Sequence, residues 1–232
     1  MTFAFVVSIL LAGMATTVTT ATAYQSASSH LQNSSKGESL KSDSSKTTNL
    51  DVSSILVLGD SISAGYGMNM DDGWVNLMNQ TLRQRGLAYR MVNASISGET
   101  TVGGLKRLPD LLLEHAPSIV VIELGGNDGL RGYPPTKIMD NLLTMIDLVK
   151  AAGAHPVIIT MRIPPNYGPR YTRAFEQVFA DAAEQSKATL VPFLFEELAV
   201  DAQMRQDDGI HPTAKAQPLL VEGFLPYLLD LM

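Results

Sequence analysis

Residues 55–61, Ile-Leu-Val-Leu-Gly-Asp-Ser, decide the fold: four apolar residues run directly into a glycine and two polar side chains. A short apolar run that ends in turn residues is typical of a strand buried on both faces. Comparable runs occur at 89–92, 119–122, 157–159 and 189–192. The sequence therefore predicts five strands.

The segments between these strands have the spacing of helices. Their apolar residues recur every three or four positions, as in a helix packed on one side. This pattern predicts helices over about 74–85, 102–112, 138–149, 169–187 and 213–230. Strands that alternate with helices form a parallel sheet covered on both faces. The predicted fold class is α/β, a three-layer α/β/α sandwich with a five-stranded parallel sheet.

Composition excludes several kinds of function. The chain has 232 residues, no cysteine, and a net charge of −6 from 17 basic and 23 acidic side chains. Without cysteine there are no disulfides, thiolate metal sites or cysteine nucleophiles. The excess of acidic over basic side chains, together with the lack of a basic patch in the sequence, argues against nucleic-acid binding.

The first 51 residues differ from the rest. An apolar run at 3–12 leads to Ala21-Thr22-Ala23, which predicts a cleavable signal peptide over 1–23 and an exported protein, periplasmic or secreted. After cleavage no stable membrane span would be left. An uncleaved N-terminal anchor is the alternative. The basic start typical of a signal peptide is missing. Residues 24–51 are Ser-rich and predict a flexible linker, which leaves 52–232 as the functional domain.

The polar residues that follow the strands are the candidates for chemistry, since ligands of such sheets bind at the carboxyl edge. A serine nucleophile needs a neighbouring base. Of the four histidines, only His211 is predicted at this edge, where it can face Ser61. Asp208, three residues earlier, can orient the imidazole ring. The sequence thus predicts a catalytic triad of Ser61, His211 and Asp208.

The same edge offers donors for an oxyanion hole: the backbone N–H groups of Ser61 and Gly98 and the side-chain amide of Asn127. Asp60 is interpreted as a helix cap rather than a reacting group. For Arg131 and Arg162 a structural ion pair is favoured over a substrate contact. Each motif alone also occurs in ordinary turns that have no catalytic role. Their joint placement on one edge of the sheet favours catalysis. No spacing suggests a metal site, and none matches a nucleotide-binding loop.

Longer strings carry a family resemblance over nearly all of 52–232. Gly59-Asp60-Ser61-Ile62, 92–100, 123–132 and 207–212 resemble the blocks of the GDSL, or SGNH, hydrolase superfamily, in particular its bacterial thioesterase I and lysophospholipase L1 (arylesterase) group. Ile62 replaces the Leu of the GDSL string. The resemblance implies a flavodoxin-like sheet with strand order 2-1-3-4-5 and the same triad and oxyanion residues.

The predicted function is that of a serine esterase acting through an acyl-enzyme, with no cofactor and no metal. Its partners would be small-molecule acyl or aryl esters of short to medium chain, lysophospholipids, or acyl thioesters. An exported enzyme would not meet cytoplasmic acyl-CoA, which favours esters. Two alternatives stay open: a carbohydrate O-acetyl esterase of the same superfamily, and a non-catalytic flavodoxin-like binding module.

Overall fold

The computed structural model describes residues 52–195 and 201–232. The predicted signal peptide (1–23) and linker (24–51) lie outside the described residues. The strands are β1 (Ser53–Gly59), β2 (Tyr89–Asn93), β3 (Ile119–Glu123), β4 (His155–Ile159) and β5 (Thr189–Val191). The helices of the described part are α1 (Ser61–Ala64), α2 (Trp74–Gln84), α3 (Thr101–His115), α4 (Gly126–Leu130), α5 (Pro135–Ala151), α6 (Pro169–Ser186) and α7 (Gln217–Leu229).

The strands form one sheet in the order β2-β1-β3-β4-β5, and every pairing is parallel. The predicted five-stranded parallel sheet and its strand order are confirmed. From β1 the chain passes to β2 on one side and then returns to β3 on the other. The carboxyl ends of β1 and β3 therefore flank the point where the strand order reverses, which is where such sheets bind ligands.

Alternate residues of the central strands face opposite helical layers. Leu56 and Leu58 pack in a core with residues of α3, α5 and α6, whereas Ile55 and Val57 pack with residues of α2 and α7. All four are completely buried. This is the predicted α/β/α sandwich, and it leaves only the ends of the strands free to present polar groups.

The structure adds two short helices to the five predicted ones. Helix α1, of four residues, and helix α4, of five, directly follow β1 and β3. Helical periodicity is recognisable only over about 11 residues or more, so segments this short do not show it. Helix α7 begins at Gln217 rather than 213 because a 3₁₀ turn occupies Ala214–Ala216. Within 52–195 and 201–232, no helix combines the length and apolar content needed to cross a bilayer.

Candidate active site

Ser61 is the first residue of α1, immediately beyond the carboxyl end of β1. Asp60 is the N-cap of this helix, as expected: its Oδ1 accepts a hydrogen bond from the Ile62 N–H at 3.1 Å. Gly59 makes the tight turn possible. A Cβ there would lie 2.6 Å from Glu123 Oε2 and 2.7 Å from Ser95 Oγ. We call residues 59–63 the Ser61 turn.

A series of hydrogen bonds connects Ser61 with His211 and Asp208. Ser61 Oγ lies 2.8 Å from His211 Nε2, across 150 residues of sequence. His211 Nδ1 lies 2.6 Å from Asp208 Oδ2. The structure thus brings together the three residues predicted as a triad. In this geometry the imidazole can take a proton from the hydroxyl while the carboxylate stabilises the resulting positive charge.

Asp208 is held as a carboxylate by local hydrogen bonds. Its Oδ1 accepts from the backbone N–H groups of Ile210 (2.9 Å) and His211 (3.0 Å). Burial alone would raise the pKa of Asp208. The two backbone hydrogen bonds and the His211 ring outweigh burial and lower that pKa to about 2. Asp208 is therefore an anion throughout the neutral range.

Residues 205–213, here called the His211 turn, are tied to the loop after α1. Gln206 Nε2 donates to the carbonyl oxygens of Tyr66 (2.8 Å) and Pro212 (3.0 Å), and its backbone N–H donates to His211 O (2.8 Å). The Tyr66 ring packs against the imidazole, with centroids 4.6 Å apart. These contacts fix the position of His211 relative to Ser61. The sequence analysis did not identify Tyr66 or Gln206, since neither belongs to a recognisable motif.

Asn127, a predicted oxyanion donor, lies in α4 and lines the same cleft as Ser61 and His211. Its Nδ2 donates one hydrogen bond to Asp60 Oδ2 at 3.1 Å. An amide nitrogen carries two hydrogens, so the other stays available to a substrate. Burial raises the pKa of Asp60 to about 6, although the Ile62 N–H, His211 and Asn127 all favour its charged form.

Gly98, the remaining predicted donor, lies in the loop between β2 and α3 with a φ of 80°. This left-handed backbone favours glycine. Its carbonyl is linked to the α4 segment, because Arg131 Nη2 donates to Gly98 O at 3.1 Å. Gly98 follows β2, the strand beside β1, and the part of its N–H group in an oxyanion hole stays a prediction.

The cleft itself is mainly apolar and has a volume of about 250 Å³. Ser61, Asn127 and His211 stand at its polar side. Its apolar wall is formed by Ile62, Leu130, Met161, Ile163, Phe193 and Phe195. The two phenylalanines follow β5 in a segment that has no periodic pattern, so the sequence analysis did not identify them. Such a cavity suits the hydrocarbon part of a ligand.

The sequence analysis gave no role to two buried acidic residues beside the site. Asp128 accepts hydrogen bonds from the backbone N–H (2.9 Å) and hydroxyl (2.6 Å) of Thr101, and so joins α4 to the start of α3. Burial raises its pKa despite these bonds. Glu123, the last residue of β3, is 3% exposed. A charged residue at the end of an otherwise apolar strand, Ile-Val-Val-Ile-Glu, is a signal that could have identified it.

The two arginines considered as substrate contacts both have protein partners. Arg131 donates to the Gly98 carbonyl, as described above. Arg162 lines the cleft and pairs with Glu176, with Nε 3.8 Å from Oε1. The interpretation of Arg162 as an ion-pairing residue is consistent with this contact. Across the described residues, His, Asp and Glu side chains do not gather in a group of three that could hold a metal ion.

The fold and the hydrogen-bonded serine, histidine and aspartate define a class of hydrolases, and comparison with known proteins identifies the family. Residues 57–218 match the model of the GDSL-like lipase/acylhydrolase family. This chain belongs to that family. It is accordingly a hydrolase that acts on ester bonds.

Relatives with assigned activities match about three quarters of the chain. Esterase TesA of Pseudomonas aeruginosa is 50% identical over 178 residues, which are 77% of this chain and 89% of that protein. Thioesterase 1/protease 1/lysophospholipase L1 of Escherichia coli is 43% identical over 178 residues, 77% of this chain and 84% of that protein. Among solved structures, the psychrotrophic esterase EstA from Pseudoalteromonas sp., inhibited by monoethylphosphonate, matches with a TM-score of 0.75 and 40% identity, over 76% of this chain and 97% of that one.

Proposed function

We propose that this protein is a serine esterase that hydrolyses carboxylic esters through a covalent acyl-enzyme on Ser61. The observation that carries the proposal is the unbroken series of hydrogen bonds from Ser61 Oγ to His211 (2.8 Å) and from His211 to Asp208 (2.6 Å). This series lies beside an apolar cleft. Asp208 remains ionised at neutral pH and can therefore hold the imidazole ring and stabilise its positive charge.

In the first half-reaction, His211 Nε2 takes the proton of the Ser61 hydroxyl while Oγ attacks the ester carbonyl carbon. The carbonyl π bond opens and leaves a negative oxygen, which accepts hydrogen bonds from the Asn127 amide and from the backbone N–H groups of Ser61 and Gly98. When this intermediate collapses, the bond to the leaving oxygen breaks. His211 returns its proton to that oxygen, and the alcohol departs.

In the second half-reaction, water replaces the serine hydroxyl as the attacking group. His211 takes one proton from the water, whose oxygen bonds to the acyl carbon. Collapse of this second intermediate breaks the bond to Ser61 Oγ, and His211 returns the proton to Oγ. The products are the free carboxylic acid and the regenerated enzyme. Every proton that moves in this scheme passes through His211.

The apolar cleft supports substrates with a short- to medium-chain acyl group or an aryl group. Its Phe, Ile, Leu and Met side chains can bury methylene groups, each worth about 0.8 kcal/mol. The names of the relatives from Pseudomonas aeruginosa and Escherichia coli support esters, thioesters and lysophospholipids as substrate classes. An exported enzyme would encounter esters rather than cytoplasmic acyl-CoA.

Substitution of Ser61 or His211 tests the mechanism. We expect Ser61→Ala and His211→Ala each to lower kcat on p-nitrophenyl esters by roughly 10⁴-fold or more, since these side chains act as one unit. A fluorophosphonate probe should label the wild-type enzyme at Ser61 and leave Ser61→Ala unlabelled, because an unactivated serine does not react. Peptide mass spectrometry locates the label.

The matched controls are His115→Ala, at the end of α3, and Ser118→Ala, just before β3. Both residues lie near the opposite edge of the sheet. Both variants should retain wild-type kcat. Wild-type turnover by Ser61→Ala would refute the mechanism. Absence of labelling and of turnover in the wild-type enzyme would favour the binding-module alternative instead.

Asn127→Ala tests the oxyanion hole. Loss of one donor to the negative oxygen should lower kcat by about 10²–10³-fold and leave KM nearly unchanged, since the bond strengthens only in the transition state. Steady-state kinetics on a short-chain aryl ester measures both constants. Asn76→Ala, a substitution of a half-buried residue on α2 that does not border the cleft, is the control. A change confined to KM would assign Asn127 to substrate binding instead.

Acyl chain length separates an esterase of medium-chain substrates from an O-acetyl esterase. Across p-nitrophenyl esters from acetate upward, kcat/KM should rise roughly fourfold for each methylene group that enters the cleft, then level off once the cleft is full. Leu130→Trp puts a larger side chain in the apolar wall and narrows the cleft. It should reduce activity on the longer esters while sparing acetate. Activity restricted to acetate in the wild-type enzyme would favour the O-acetyl esterase.

We further propose that residues 1–23 are removed during export, that 24–51 act as a spacer, and that the enzyme operates in the periplasm or outside the cell. The apolar run at 3–12 and the Ala21-Thr22-Ala23 sequence support this. The intact mass of the protein from the periplasmic fraction should correspond to a chain that starts near Tyr24. Recovery of the full-length chain from the membrane fraction would instead indicate an uncleaved anchor.

A further inference from the structure

Glu123 lies directly beneath the Ser61 turn but does not line the cleft. Its Oε2 accepts two hydrogen bonds from that turn, from the Ser63 hydroxyl at 2.7 Å and from the Asp60 N–H at 3.3 Å. Ser63 Oγ in turn accepts from the indole Nε1 of Trp74 at 3.1 Å. The carboxyl group therefore joins β3, the central strand, to both sides of Ser61.

The two oxygens of this carboxyl group have different surroundings. Oε2 has the two donors just described, whereas Oε1 is buried with no hydrogen-bond partner among the described residues. An ionised carboxylate needs donors on both oxygens when it is removed from water. A neutral carboxylic acid needs fewer, because one oxygen carries the proton. The geometry thus fits the neutral form.

The neighbouring charges favour the same form. Burial raises the pKa of Glu123, and the nearby Asp60 carboxyl group raises it further. Asp60 is the better site for the negative charge of the pair, because it accepts from the Ile62 N–H and from Asn127 Nδ2 and is attracted by His211. Two adjacent carboxyl groups in a buried place share a single charge.

A small cavity of about 20 Å³ borders Glu123 and is otherwise lined by apolar side chains, among them Ile62, Trp74 and Leu220. An apolar space beside a carboxyl group disfavours its charged form, because nothing there can solvate the charge. Ile62, Met161, Phe193 and Phe195 border both this cavity and the active-site cleft. They separate Glu123 from the substrate, so Glu123 does not take part in the chemistry directly.

We propose that Glu123 is a positioning residue, a neutral carboxylic acid that holds Ser61 in line with His211 through its hydrogen bonds to the Ser63 hydroxyl and the Asp60 N–H. The inference rests on the Ser61 mechanism proposed above. Being neutral, the group fixes the turn without adding a negative charge beneath the site where the oxyanion forms. An anion there would oppose the charge that develops in the transition state.

Glu123→Gln and Glu123→Leu distinguish this role. The amide oxygen of Gln can accept both hydrogen bonds of Oε2, and its NH₂ group can take the place of the protonated Oε1. We therefore expect Glu123→Gln to keep kcat within about threefold of the wild type. Glu123→Leu has no acceptor and should lower kcat by about 10- to 100-fold with KM nearly unchanged, as expected when a reacting group is displaced.

Ser63→Ala provides a second route if Glu123→Leu does not fold. It removes the hydroxyl between Glu123 and Trp74 and should lower kcat in the same direction, by less, with KM again unchanged. Glu222→Gln and Glu222→Leu are the matched controls, because Glu222 is exposed on α7 and lies outside the site. Circular dichroism and thermal unfolding identify variants that do not fold.

Infrared difference spectroscopy tests the protonation state independently of activity. The spectrum of the wild type minus Glu123→Gln at neutral pH should contain the carbonyl band of a protonated carboxyl group. Carboxylate bands in its place would overturn the inference, as would a loss of kcat in Glu123→Gln equal to that in Glu123→Leu. Wild-type kcat in both Glu123→Leu and Ser63→Ala would overturn it too. Failure of the Ser61 mechanism is recognised separately, by turnover in Ser61→Ala.

Discussion

The central strands β1 and β3 are buried on both faces, and the rest of the structure depends on this constraint. Residues 55–58 and 120–122 have no exposed surface, because helices cover the sheet from either side. Polar side chains are costly in such strands unless they are hydrogen-bonded. The polar chemistry therefore collects where the strands end, at the edge flanked by the reversal of strand order. Ser61, Asn127 and His211 all lie there.

The turns at this edge are held by short-range caps and by contacts from one turn to the next. Asp60 caps the helix that begins with Ser61 and also accepts from Asn127, while Asp128 joins α4 to α3. Gln206 ties the His211 turn to the loop after α1. Each element that presents a polar group to the cleft is thus fixed by hydrogen bonds to a neighbouring element. The precision of the site depends on these supporting residues.

Sequence analysis predicted the strands, the sheet and the residues that gather at its edge, because apolar runs, helical spacing and motifs indicate them directly. It did not predict α1 and α4, which are too short to show a period. It also missed Phe193, Phe195 and Glu123, whose importance comes from which residues lie next to them after folding. The hydrogen bond from Arg131 to the Gly98 carbonyl is a further example, since such a contact between two loops is visible only after folding.

Asp208 and His211 have a consequence for how the site assembles during folding. Both belong to one turn, in which Asp208 Oδ1 accepts from the backbone of His211 and Oδ2 contacts its ring. The acid and the imidazole can therefore pair before the chain has closed. One long-range closure, between positions 61 and 211, then completes the Ser61–His211–Asp208 series, and the entropy of closing such a loop grows only as the logarithm of its length. The Asp208–His211 pair forms within one turn, and folding then brings it to Ser61, which lies far away in the sequence.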